Sequence, residues 1–154
     1  MKLDEKERAL LTILQQDARV SNAQLAEKTV MSDSSCWRKT KALEESGIIR
    51  RYSAVVDPRK MGLAFEAVVQ INLDRHNRSA VDELVDVLMQ CEEVIECLAT
   101  TGDFDFLLRI FCPDIEAYND FIEQHLFNHR SIRSMRTNVV LKRIKTDTPI
   151  LAKF

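Results

Sequence analysis

The stretch from Ser32 to Gly47 leaves little freedom in how it can fold, because both of its ends are marked. Ser32 suits an N-cap, where a hydroxyl accepts from a free backbone N–H of the first turn. Met31 before the cap and Cys36 inside the helix have staple spacing. Gly47 suits the left-handed residue that stops a helix. Cys36, Thr40 and Leu43 fall at i, i+4 and i+7 and share an inward face. The other face is polar. Small groups come first (Asp33, Ser34, Ser35), then Trp37 and the cations Arg38, Lys39 and Lys41. A helix whose first turns enter a DNA groove needs such an order, so that its cations reach base edges or phosphates. Alone, the pattern also fits an ordinary amphipathic surface helix.

The preceding residues favour the DNA-reading interpretation. Asp4 and Glu7 have capping-box spacing and open a first helix with Leu10, Ile13 and Leu14 as its apolar stripe. Ser21 and Gln24 form a second box, with Val20 able to staple to Leu25, and this helix ends near Lys28. Thr29-Val30-Met31 is then the whole connection to Ser32. A short helix, a tight turn and a capped polar-faced helix make a helix-turn-helix. The β-branched and basic run Ile48-Ile49-Arg50-Arg51-Tyr52 reads as a strand or wing beside the backbone, which adds Arg50 and Arg51 to the candidate DNA contacts. Trp37 could touch a thymine methyl, but a lone tryptophan more often packs partly against its neighbours.

Net charge is −2, which argues against nucleic acid until the chain is divided. Residues 1–60 hold twelve Lys/Arg against nine Asp/Glu, whereas residues 61–154 hold ten against fifteen. The split implies two domains with different partners. So modest an excess predicts weak binding by one copy and useful affinity only when several copies share one DNA. No apolar run approaches the ~18 residues of a membrane span, and no signal peptide precedes the first capping box. Cys36, Cys91, Cys97 and Cys112 show no Cys-x-x-Cys spacing, so they read as buried free thiols of a cytoplasmic protein. His125 and His129 lie one helical turn apart without a third ligand in view, and no metal is expected.

Beyond Pro58 the pattern turns regular. Tyr52-Ser53-Ala54-Val55-Val56 is strand-like, and Met61-Gly62-Leu63 bridges onward. Phe65, Ala67, Val69, Ile71 and Leu73 alternate as in a half-buried strand, and Val81, Leu84, Val85 and Leu88 have helical spacing. Residues 94–101 read as a second strand, Thr101-Gly102-Asp103 as a turn, and Phe104, Phe106, Leu108 and Ile110 as a third strand. Pro113-Asp114 opens a helix with Ile115, Tyr118, Ile122 and Leu126; Met135, Thr137, Val139 and Leu141 form a last strand. The order is βαββαβ, the ferredoxin-like unit. The fold class is therefore α+β, with 1–51 a winged helix-turn-helix, 52–63 a linker strand and hinge, 64–146 the ferredoxin-like domain and 147–154 a surface arm or swapped edge. Val68, Leu107, Phe111 and Val140 make the helix-free sheet face partly apolar, so a homodimer through this face is expected.

In these motifs the chain resembles the Lrp/AsnC family, the feast/famine transcriptional regulators of bacteria and archaea. The resemblance rests on residues 17–26 (DARVSNAQLA), on Ser32, Cys36 and Arg38, on 43–49 (LEESGII), on 52–58 (YSAVVDP), on Glu96-Cys97, on 101–108 (TGDFDFLL) and on Pro113-Asp114. It implies a winged helix-turn-helix joined to a RAM-type sensing domain, dimers assembling to an octamer, and a free amino acid held where dimers meet. It places the effector motif at Thr101, Gly102, Asp103, Phe104 and Asp105, with Asn138, Val139 and Val140 on a strand that influences the response; Ala99 joins the candidate effector residues as a small apolar neighbour of the turn. Two departures stand out: Val30 replaces a usual turn glycine, which predicts a differently shaped turn, and Asp33 replaces a common proline.

Physical chemistry supports the effector motif. Gly102 lacks a Cβ, so a ligand can approach the backbone; N–H groups of such a turn receive a carboxylate, and an aspartate receives an ammonium. Without the resemblance, Gly102-Asp103 is a plain hairpin turn. Small apolar groups near it, such as Ala99 and Ile115, lean the effector towards leucine or methionine. The reading is a double-stranded-DNA-binding regulator responding to an amino acid, without cofactor or membrane partner. A ligand-independent architectural DNA-binding protein is the alternative. No catalytic constellation is recognisable, so no enzyme is expected.

Overall fold

The computed structural model describes residues 3–74, 78–146 and 148–150. They divide into two compact units: residues up to Val55 with the described tail from Lys145, and Val56–Ile144. The arm expected at 147–154 therefore lies partly outside the described residues, and its described part groups with the first unit.

The first unit holds α1 (Glu5–Gln16), α2 (Asn22–Thr29) and α3 (Asp33–Glu45). Each begins where a side chain satisfies the first free N–H groups. The Asp4 carboxylate accepts from the Glu7 N–H at 2.8 Å, and the Glu7 carboxylate from the Asp4 N–H at 2.9 Å. Ser21 and Gln24 reciprocate in the same way, and Ser32 accepts from the Ser35 N–H at 3.3 Å. Leu10, Leu25, Ala26 and Cys36 form the core, with Ile13, Leu14, Val20 and Met31 packed against it.

The turn between α2 and α3 corrects one expectation. Val30 does not reshape it; the residue adopts the left-handed conformation itself, with φ 53° and ψ 53°. Backbone pairing holds it there. The Val30 N–H donates to the Glu27 carbonyl and the Met31 N–H to the Ala26 carbonyl, the Schellman pattern. The Lys6 ammonium adds a 2.6 Å bond to the Thr29 carbonyl. The Val30 side chain is 83% exposed, so its branching strains only the local backbone.

Neither the strand or wing expected at 48–52 nor the linker strand expected at 52–56 forms a ladder in the single chain. A strand requires a neighbour, and none of the described residues supplies one. Instead the Ile49 N–H returns to the Leu43 carbonyl at 3.0 Å.

The second unit runs β1 (Phe65–Leu73), α4 (Arg78–Gln90), β2 (Val94–Ala99), β3 (Phe106–Cys112), α5 (Ile115–His125), β4 (Ile132–Val139). The strands form one antiparallel sheet in the order β2-β3-β1-β4, the ferredoxin-like arrangement expected. Ala67, Val69, Ile71 and Leu73 of β1 are buried with Leu84 and Leu88 of α4, Leu108 and Ile110 of β3, and Phe121 of α5.

Three boundaries move for identifiable reasons. β3 starts at Phe106, because Asp105 closes the preceding loop: its N–H reaches the Ile71 carbonyl and its carbonyl accepts from Thr100. β2 ends at Ala99, where that loop begins. β4 stops at Val139, and Leu141 is 90% exposed; the Val140 N–H meets Glu66 at the head of β1, beyond which the ladder has no partner. The cysteines are not uniformly buried either: Cys36 and Cys112 are, Cys91 is half-buried, and Cys97 is exposed because β2 is the sheet edge.

The face of the sheet away from the helices is less apolar than its sequence implied. Glu66 binds Arg109 at 2.8 Å and Arg143 at 2.7 Å, and both guanidiniums lie over the Phe111 ring, 5.3 and 4.8 Å from its centroid. Phe111 is thus already covered within one chain.

Candidate functional site

The polar face of α3 presents most of the residues expected to meet DNA. Ser32, Asp33, Ser34, Trp37, Arg38 and Lys41 are exposed, as are Arg50 and Arg51 beyond the helix, while Ser35 is half-buried. The Asn22 side-chain amide donates to the Asp33 carbonyl at 2.8 Å and ties the start of α3 to α2. Trp37 is 58% exposed, so its packing is only partial; the Lys41 ammonium stands 5.0 Å over its ring and 3.8 Å from Glu45.

Lys39 departs from its expected role. Its ammonium lies 2.5 Å from Asp4 and 3.5 Å from Glu7, which clamps α3 to the capping box of α1. The Asp4 carboxyl is held below the usual carboxylate range, first by the Lys39 hydrogen bond and then by the Glu7 N–H. A lysine engaged in this way fixes the helix instead of reaching for phosphate. Tyr52 similarly donates to the Glu44 carboxylate at 2.7 Å, and burial followed by that carboxylate pushes its phenol up to about 12.

In the second unit, a cleft of about 630 Å³ opens beside the 100–105 loop. Asn72, Leu73, Asp74, Gly102, Asp103, Asp105 and Arg133 line it. Gly102 has φ +111°, which a side chain would oppose although a Cβ would meet nothing within 4 Å. The glycine is therefore required by backbone conformation, and the space before it stays open. One Asp105 carboxylate oxygen accepts the Leu73 N–H at 2.8 Å, so this aspartate holds the loop to β1.

Gly102, Asp103 and Asp105 of the expected effector residues meet in this cleft; Ala99, Thr101, Phe104 and Ile115 do not line it. Asn138, Val139 and Val140 sit at the opposite end of β4, beside Val68, Ala67 and Glu66, about 17 Å along the strand from Arg133. Within one chain they cannot touch the same small ligand. Sequence reading missed Asn72, Asp74 and Arg133. Their only signal was position: Asn72 falls inside the first alternating run, Asp74 directly after it and Arg133 two residues before the final one. The cleft is also more polar than the small apolar groups near Gly102 implied.

Among the described residues, no group of three or more His, Cys, Asp or Glu side chains is placed to hold a metal, and no helix is long and apolar enough to cross a membrane. The His129 ring bonds the buried Ser131 hydroxyl at 2.9 Å, and the His125 ring packs against Phe121.

Comparison with known proteins follows the same division. A family model described as winged helix-turn-helix DNA-binding matches residues 3–50, and one described as Lrp/AsnC ligand binding domain matches residues 66–150. The chain is 36% identical over 139 residues to the transcriptional regulator AzlB of Bacillus subtilis, covering 90% of this chain and 88% of that one. It is 30% identical over 151 residues to the leucine-responsive regulatory protein of Escherichia coli strain K12, covering 98% and 92%. Transcriptional regulator NMB0573 of Neisseria meningitidis, solved as a complex with L-Met, matches with a TM-score of 0.91 at 31% identity over 96% of each chain. Both models match in the order the two units occupy, and the likeness runs nearly end to end: the protein belongs to the Lrp/AsnC family of DNA-binding transcriptional regulators with a ligand-binding domain.

Proposed function

We propose that this regulator reads specific duplex sequences through the exposed face of α3, and that a free amino acid held at the Gly102 corner sets how strongly it binds. The observation that carries the reading is the mixed charge of the cleft: Arg133 shares it with Asp103 and the other acidic groups around an open glycine turn. A zwitterion needs a cation for its carboxylate and an anion for its ammonium, and a single wall offers both. Leucine and methionine are the first candidates. The names of the relatives support them, and Leu73 supplies an apolar patch in the cleft.

The ligand sits where copies meet. The distance of Asn138, Val139 and Val140 from Arg133 along one β4 supports this, since a second chain is needed to unite them at one ligand. The first association is a homodimer through the sheet face that carries Phe111, and the dimers assemble further, to an octamer. The protein works in the cytoplasm, where the DNA is, and turns over no substrate. Arg38, Arg50 and Arg51 form no ion pair among the described residues, which leaves their charge available to phosphates. Asp33 at the first turn of α3 faces the same phosphates with the opposite sign and selects against loose, sequence-blind docking.

One titration tests both halves. DNA binding is measured by fluorescence anisotropy across salt concentrations, with each of the twenty amino acids in turn. Leucine or methionine changes the apparent affinity by about tenfold, the usual scale of allosteric coupling. Arg38→Ala lowers the slope of log affinity against log salt by about 1. If no amino acid alters affinity, cooperativity or assembly, the architectural alternative replaces the sensing half.

A further inference from the structure

The helix-free face of the sheet carries two charges that their own chain leaves unanswered. Residues directly opposite each other across a ladder share a face, so the register assigns this one. Glu66, Val68 and Gln70 of β1 stand beside Phe111, Arg109 and Leu107 of β3. Glu96 of β2 is opposite Arg109, and Arg136 of β4 is opposite Gln70. Glu96 and Arg136 are exposed, and neither side chain forms an ion pair or hydrogen bond among the described residues. Arg109 could answer Glu96 from the neighbouring strand, yet its guanidinium turns to Glu66 at 2.8 Å. Arg143 takes the other Glu66 oxygen at 2.7 Å. Glu96 and Arg136 lie on the two edge strands, three strand spacings or about 14 Å apart, with Val68 and Arg109 between them. Within one chain they do not meet.

We propose that a second copy answers both charges: Glu96 pairs with the partner's Arg136 and Arg136 with the partner's Glu96, so the two-fold axis of the homodimer runs along the strands. This rests on the homodimer reading above and adds which way round the copies sit. Symmetry decides the pairing, because an isologous contact matches one patch with itself. An axis along the strands lays β2 over the partner's β4 on both sides, which brings each glutamate to an arginine. An axis across the strands lays β4 over β4 and sets Arg136 against its own copy. Facing opposite charges fix a register, and facing like charges exclude it. Stacked sheets lie about 10 Å apart, a gap that a glutamate and an arginine reaching from opposite sides can close. The half-buried Val68 and Leu107 on the two inner strands lie between the pairs and supply apolar contact.

Charge reversal in the full chain tests it, with sedimentation and native mass spectrometry as readouts. Glu96→Arg and Arg136→Glu each set like charges together twice, and each raises the dimer dissociation constant about a hundredfold. Mixing the two variants restores the affinity of the unmodified protein, because one copy then offers two arginines and the other two glutamates. A chain carrying both changes also recovers, and it forms no mixed dimers with the unmodified protein. A misfolded variant is not rescued by mixing, so recovery separates pairing from loss of fold. Single variants that dimerise as the unmodified protein does overturn the pairing and leave the homodimer standing. Single variants that are weakened and gain nothing on mixing overturn it as well. An unmodified chain that stays monomeric at every concentration overturns the homodimer itself, and the pairing with it.

Discussion

The two units are stabilised by different means. The ligand-binding unit has a cluster of thirteen buried residues, in which a four-stranded sheet packs against two helices. The DNA-binding unit gathers four, and its remaining order comes from caps, a Schellman turn and the Lys39 clamp. Burial scales with the size of the core, so the sheet unit has reserve that the three-helix unit lacks. A reading head built on many local bonds and little buried volume can be repositioned or loosened at small cost. A sensing unit must instead keep its strand register to hold the cleft together.

The comparison can be broken most directly through core truncations. Leu10→Ala and Ile71→Ala each remove a fully buried side chain and each cost about 2–5 kcal/mol. Their consequences differ. Leu10→Ala shifts the urea transition followed by Trp37 fluorescence, since the only tryptophan sits in the reading head. Ile71→Ala shifts the transition followed by far-ultraviolet circular dichroism of the sheet, and the head's midpoint stays where it was. If both probes always move together, the units fold as one and the contrast fails.

Loss of the α3 cap gives a smaller effect. Ser32→Ala costs about 1 kcal/mol and moves only the Trp37 transition, because the bond it removes lies wholly within the head. Val30→Gly runs the other way. It relieves a left-handed β-branched residue and raises the head's midpoint by an amount equal to about 1 kcal/mol. No gain there would mean that the Lys6 and Schellman bonds already offset the strain.

The smallest effect is also the most specific, and pH reveals it. Asp4 has its carboxyl lowered from 3.8 by Lys39, so the stabilisation is complete above that value and is lost as pH falls through the lowered one. Lys39→Met therefore lowers the head's midpoint at neutral pH, and its difference from the unmodified protein closes under acid. A difference that persists once Asp4 is protonated would assign the effect to lost packing by the lysine stem.

Much of this architecture was legible in the residue order. The boxes at Asp4-Glu7 and Ser21-Gln24 form as their spacing predicts, and the alternation from Phe65 to Leu73 gives β1. The failures share a cause. The run at 48–56 has strand chemistry but no partner strand among the described residues, so residue type could not decide its state. Lys39 looks like any other cation of α3 until α1 is folded against it.

The sequence by itself determined where helices begin and end, which strand faces are apolar, and that a glycine turn separates the second strand of the sheet unit from the third. Those features rest on bonds and periodicities spanning three or four residues. Only the tertiary structure decided that Asn72, Asp74 and Arg133 share a cleft with Gly102, that Val30 bears the left-handed turn, and that the tail meets Gln15. Those neighbours are made by strand register and helix docking, which join residues far apart along the chain and leave no local pattern to read.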